Sequence, residues 1–273
     1  MSVCVLVKVG EGLVLAADSA TTIAGAAMGP GGQPGPQGVI KVFFNATKIF
    51  QIRDLPVAVM TWGAGAFQSR TIASLVEEFE NLEATKAVTR ENLEISDLSK
   101  QIWEFMCARS EAFFKDIPIE GRPKTGLLIC GYSKQQFFPE EFSMMIPSNA
   151  PSRVRPDQNG QPNFGAAWYG MVDAIVRFHY GRDDKLFDVL KGSGIGDAQL
   201  GPLKDKISQE LQYPVLFQAM PLGDAIDYAR FLVDLTIARF RFVIGAELCG
   251  GPVDLASVSR KEGFKWIQSK RLR

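Results

Sequence analysis

Ser2-Val-Cys-Val-Leu-Val-Lys-Val-Gly-Glu-Gly-Leu-Val-Leu-Ala-Ala-Asp-Ser19 is the stretch that decides how this chain folds. Residues 3–9 are mostly β-branched or apolar on both alternations, which is the pattern of a strand covered on both faces. Gly10-Glu-Gly12 reads as a tight turn, and residues 13–17 return as a second buried strand. The chain therefore opens with a hairpin whose second strand ends in Asp18-Ser19. A carboxylate at the end of a buried strand must find donors. Two arrangements suit the spacing equally: a turn cap within Asp18-Ser-Ala-Thr, or a nearby ammonium group.

Beyond the hairpin, residues 24–38 (AGAAMGPGGQPGPQG) are dense in Gly and Pro and read as an irregular loop insertion or lid, about 24–40 in extent. Strands are expected at 48–52 and 57–62. After Gly63-Ala-Gly65 the period becomes helical, with Ile72, Leu75, Val76 and Phe79 on one face. A second helix is expected over about 90–115, then strands at 125–131 and about 138–146, and a Pro- and Asn-rich loop over 147–162. Helices at about 171–181, 198–211 and 222–242 precede a Gly250-Gly-Pro252 bend and a closing strand at 253–258. This order of strands, helices and strands suggests a layered sandwich in one domain spanning 1–273.

Composition excludes several classes. Thirty basic residues balance thirty acidic ones, so no global field draws the protein to nucleic acid or an anionic membrane. The basic tail over 265–273 reads as a solvated terminus. No apolar run reaches the ~18 residues of a membrane helix, and the start lacks a signal-peptide plan; a cytoplasmic location is expected. Cys4, Cys107, Cys130 and Cys249 sit apart in apolar surroundings and read as reduced core residues. His179 is the one histidine, within an apolar helical pattern, so a Ser-His-Asp triad or a histidine-rich zinc site has little to draw on. Gly63-Ala-Gly65 lacks the third glycine of a dinucleotide turn, since position 68 is Gln, and Gly192-Ser-Gly-Ile-Gly196 does not match a nucleophile elbow.

The run 3–9, GLVLAADS at 12–19, Lys48-Ile49 and Gly63-Ala-Gly-Ala entering a helix together resemble a proteasome β subunit and its bacterial relatives. Cys249-Gly-Gly-Pro-Val-Asp-Leu-Ala-Ser-Val258 is similar to the closing strand of that family. The resemblance implies an α+β, four-layer αββα sandwich of the N-terminal-nucleophile hydrolase type. Carried over, the family's nucleophile falls on Ser2, its aspartate on Asp18 and its lysine on Lys48, with the Ser2-to-Asp18 interval free of gaps. The Gly/Pro insertion makes Lys41 a rival for the lysine role. Gly63 and Gly65 are the candidates for an oxyanion hole. Departures from the family pattern are the serine in place of the usual threonine, Glu247 near the place of a supporting aspartate, and no supporting serine near Gly170-Met171.

The chemistry also holds together on its own terms. Methionine ahead of serine is expected to be removed, leaving Ser2 with a free α-amine whose pKa near ~8 suits it to act as base for its own hydroxyl. Lys48 would lower the pKa of that hydroxyl, and Asp18 would keep the lysine charged. The expected activity is hydrolysis of peptide bonds in a peptide or unfolded-protein substrate, without metal or organic cofactor. The resemblance further implies a homo-oligomer, a ring or double ring; the sequence carries no signal about an ATPase partner. Two other readings keep the same fold: a catalytically inactive ring or assembly subunit, and a small-molecule amidase.

Overall fold

The computed structural model describes residues 2–28 and 34–270. The chain runs through β1 (Val3–Val9), β2 (Gly12–Ala17), β3 (Thr21–Met28), β4 (Pro34–Phe43), β5 (Ile49–Gln51), β6 (Val57–Gly63) and the two short strands β7 (Ala66–Phe67) and β8 (Arg70–Thr71). Next come α1 (Ile72–Glu80), α2 (Glu83–Lys86) and α3 (Ile95–Phe114), then β9 (Thr125–Gly131), β10 (Glu140–Ile146), β11 (Asn149–Arg153) and β12 (Gly165–Gly170). Four helices follow, α4 (Asp173–Tyr180), α5 (Lys185–Gly192), α6 (Asp197–Leu211) and α7 (Leu222–Phe242), and β13 (Asp254–Ser259) and β14 (Gly263–Gln268) close the chain.

Two five-stranded sheets, ordered β12-β1-β2-β13-β14 and β11-β10-β9-β6-β5, pack face to face. The alternation of β1 explains why. Val3, Val5, Val7 and Val9 pack with Ala225, Ala229, Leu232 and Val233 of α7, while Cys4 and Leu6 meet Met60 and Leu128 of the second sheet. On the far side, Leu75, Val76 and Phe79 of α1 and Leu98, Ile102 and Met106 of α3 cover Val57, Val59, Leu127 and Ile129. Helix, sheet, sheet and helix make the αββα sandwich that the sequence implies. The helical stripe 72, 75, 76, 79 faces the core as its period requires; Thr71 caps this helix by accepting from the Ser74 N–H.

Three expectations are corrected. The Gly/Pro-rich insertion is not an irregular loop: β3 and β4 pair antiparallel from Thr21↔Phe43 to Met28↔Pro34, with 29–33 outside the described residues. A two-stranded ribbon has only edges, where Pro and Gly are tolerated, and its pairing leaves no alternation to read. Within the loop expected at 147–162, β11 adds an edge strand to β10. Residues 265–268 of the basic tail belong to β14, and Lys270 pairs with the buried Asp254. No element was expected over β12, six residues of small and aromatic type. Its pairing with β1, from Val3↔Gly170 to Lys8↔Gly165, makes it a strand.

One group on β1 runs against its surroundings. Lys8 is fully buried between the sheets, and its ammonium has no hydrogen-bond partner among the described residues. Burial lowers its pKa, offset in part by the nearby charge of Glu141. Glu141, itself buried, accepts from Arg155 at 2.6 Å; burial nevertheless raises its pKa.

Candidate active site

Hairpin register builds the site. Cys4 lies opposite Ala17, which carries Val3 opposite Asp18 at the open end of the hairpin. The Val3 N–H donates to Asp18 Oδ1 at 2.9 Å, and the Asp18 N–H returns a bond to the Val3 carbonyl at 3.2 Å. Ser2 is therefore held one residue beyond the last pair. Its carbonyl accepts from the Met171 N–H at 2.7 Å. Gly170, at φ +86°, comes so close that a Cβ there would stand 2.0 Å from the Ser2 oxygen. Ser2 itself is buried, yet it lines a cavity of about 510 Å³.

Asp18 is the hub beneath that cavity. Its Oδ1 also accepts from Lys48 Nζ at 2.5 Å, and its Oδ2 accepts from the N–H groups of Ala20 at 3.0 Å and Gly250 at 3.1 Å. Four donors converge on one fully buried carboxylate, which satisfies it as a charged acceptor. The turn cap and the ammonium partner weighed for this residue are both present. Lys48 precedes β5, and its carbonyl accepts from the Thr61 N–H at 2.9 Å. Its side chain is buried, reaching the same cavity as Ser2.

Lys41 lies elsewhere. It is exposed on the outer ribbon, with Nζ 5.7 Å from the centre of the Phe43 ring. Glu247 is also exposed. The contribution of the C-terminal segment comes from the backbone: besides the Gly250 N–H, the Gly250 carbonyl accepts from the Ser19 N–H at 3.0 Å, and the Pro252 carbonyl from Ser19 Oγ at 2.5 Å. Main-chain groups have no residue-type signature, so the Gly250-Gly-Pro252 bend was legible as a bend and not as a donor.

Gly63 and Gly65 both line the cavity. Gly63 ends β6 at φ +85°, where a Cβ would fall 2.6 Å from the Lys124 carbonyl, and the following Ala64 N–H donates to that same oxygen at 2.9 Å. The segment is thereby clamped to β9 with its backbone facing Ser2's cavity. Nearby thiols are chemically quiet. Cys4 donates to the Thr61 carbonyl, and burial pushes its pKa up to about 12; burial does the same to Cys249. His179 is a core residue, packed edge-on to Trp168 and paired with Gln212, with its pKa lowered by burial. Among the described residues no three His, Cys, Asp or Glu side chains gather into a metal-binding group. Among the same residues, no helix is long and apolar enough to cross a membrane.

No family model and no curated protein sequence matches the chain. Solved structures do. An Anbu Gly-1 mutant from Hyphomicrobium sp. strain MC1 superposes with a TM-score of 0.58 at 16% identity, covering 100% of this chain and 87% of that one. Anbu, described as an ancestral β-subunit, from Yersinia bercovieri gives 0.55 at 16% identity, over 97% of this chain and 87% of that one. The helical assembly of the Anbu complex from Pseudomonas aeruginosa gives 0.57 at 17% identity, over 99% and 88%. The chain has the proteasome-like N-terminal-nucleophile hydrolase fold.

Proposed function

We propose that the chain is a hydrolase that attacks peptide bonds with the hydroxyl of Ser2, once cleavage of the Met1–Ser2 bond has freed the Ser2 amine. The observation that carries this reading is the convergence on one cavity: Ser2 and Lys48 both line it, and Asp18 beneath holds Lys48 while bonding the backbone next to Ser2.

In the proposed cycle the neutral α-amine of Ser2 takes the proton from Oγ as Oγ bonds to the carbonyl carbon of the substrate. The Lys48 ammonium favours the developing alkoxide, and Asp18 keeps that ammonium charged and aimed. Backbone N–H groups of the segment holding Gly63 and Gly65 stabilise the tetrahedral oxyanion. The amine of Ser2 then passes its proton to the leaving nitrogen, the C–N bond breaks, and an ester to Ser2 remains. Water, deprotonated by the same amine, hydrolyses the ester and restores the enzyme.

The test is covalent labelling by a peptide epoxyketone or boronate, read by intact mass. Ser2→Ala is expected to abolish labelling without changing the oligomer. Labelling that persists in this variant removes Ser2 as nucleophile, and a mass that retains Met1 favours a subunit used for assembly alone. We extend the same reading to assembly: chains associate with their own kind. The description of one solved neighbour as a helical assembly supports this, as do Phe242, Val243 and Ile244, three consecutive exposed apolar residues at the end of α7. Sedimentation that finds only monomers at micromolar concentration would remove it.

A further inference from the structure

We infer that the cavity beside Ser2 selects acyl groups with uncharged, bulky apolar side chains, aromatic or large aliphatic, through a wall made by Phe43, Phe44 and Trp62. This rests on Ser2 being the attacking group.

Charge argues first. Among the described lining residues, Lys48 is the one ionisable side chain besides the terminal amine proposed at Ser2, and its charge is matched by Asp18. The polar remainder is neutral, threonines and Asn45 for the most part. A substrate arginine, lysine, aspartate or glutamate entering here would give up water and meet no free counter-charge, a cost that an apolar side chain escapes.

Shape argues second. Phe43 and Phe44 are among the large apolar residues left exposed, 51% and 37% respectively, and both face the cavity. Phe43 pairs with Thr21, another lining residue. Phe44 is seated on the C-terminal bend: a Cβ on Gly251 would come within 2.5 Å of its carbonyl oxygen, and one on Gly250 within 3.1 Å of its ring. Since the Gly250 N–H also holds Asp18, the Phe44 ring is fixed relative to the Asp18–Lys48 pair. Trp62 is fixed by stacking on Tyr169, with ring centres 4.0 Å apart. A rigid aromatic wall loses little freedom when a side chain packs on it. The volume of about 510 Å³ suits a short peptide segment and lies within the range of roughly 300–1,000 Å³ usual for ligand sites.

Two measurements test the wall separately from the nucleophile. In the first, Ser2→Ala protein is titrated calorimetrically with acetylated peptide amides that differ only in having Phe, Leu, Arg or Asp at the acyl position. Phe and Leu peptides are expected to bind about tenfold or more tightly than the charged ones. Phe43→Ala should erase most of that preference, Phe44→Leu should reduce it without emptying the seat on Gly250, and Asn45→Asp should raise the affinity for the Arg peptide. In the second, peptide epoxyketones with the same four side chains label the unaltered protein. Equal or charge-favouring binding, or no binding by any of the four peptides, overturns the wall. Ranked binding without labelling overturns Ser2 and keeps the wall; equal labelling rates across all four probes keep Ser2 and overturn the wall.

Discussion

Replacing Asp18 with asparagine changes one oxygen to an amino group and leaves the volume untouched, so its effect isolates what the charge and the acceptors contribute. Oδ1 receives Val3 N–H and Lys48, and Oδ2 receives Ala20 N–H and Gly250 N–H. Turned one way its NH₂ faces the Ala20 and Gly250 N–H groups, and turned the other way the Val3 N–H and Lys48, so at least one buried N–H is left unsatisfied at about 1–3 kcal/mol. The Lys48 ammonium meanwhile loses its buried counter-charge, worth about 3–5 kcal/mol. Even the low ends together come to about 4 kcal/mol, most of the stability of a marginal domain. Urea unfolding followed by circular dichroism measures it. With a slope of about 3 kcal/mol/M, the midpoint falls by at least about 1.3 M, or the variant does not fold. Adding Lys48→Met removes the stranded charge, so the double variant should lose about 0.5–3 kcal/mol less than the two single losses combined. An Asp18→Asn protein within about 1 kcal/mol of the parent would refute the four-donor description.

Other outcomes follow from groups already placed. Gly170→Ala puts a methyl group against the Ser2 carbonyl at a positive φ, and should cost about 1–3 kcal/mol in strain while abolishing probe labelling; full labelling would mean that β12 does not position Ser2. Lys8→Met should be neutral or stabilising by up to about 4 kcal/mol, because it removes a buried ammonium without a hydrogen-bond partner among the described residues; a loss of stability in urea would refute this. The same variant should flatten the pH dependence of stability. Lys8 titrates below its ordinary 10.5 when folded, so across that window the unfolded chain holds the extra proton and stability rises with pH. Glu141, raised above 4.5 when folded, gives the opposite slope, with stability falling as pH rises through its window. Finally, a thiol reagent at pH 8 should leave Cys4, Cys130 and Cys249 unmodified until denaturant is added, since burial holds their thiols protonated; rapid reaction of Cys4 would make it a competitor for Ser2.

What was legible in the sequence was whatever one segment could announce by itself. The doubly apolar run at 3–9 and its return at 13–17 gave the central hairpin, and the stripe from Ile72 to Phe79 gave α1, because each pattern reports a face toward the core. The Ser2-to-Asp18 interval was picked out by the family resemblance, and it lies within that hairpin. Pairings between remote segments were not legible. β12 has a Gly-Ala-Ala opening that favours no strand and becomes one against β1. α5 buries only Phe187, too little for a stripe. Which lysine meets Asp18 depended on where the ribbon sends residue 41, outward and away, and no spacing along the chain contains that.

The bond from Gly250 to Asp18 spans 232 positions of the chain. On a ribosome adding about 5–20 residues per second, the carboxylate waits roughly 12–46 s after its own synthesis for its last donor to be made. The hairpin can form early, but the cavity cannot be finished until the final strands emerge. Completion of the polypeptide thus acts as a clock: Ser2, made before these strands, stays without its finished surroundings while much of its own chain is still extended.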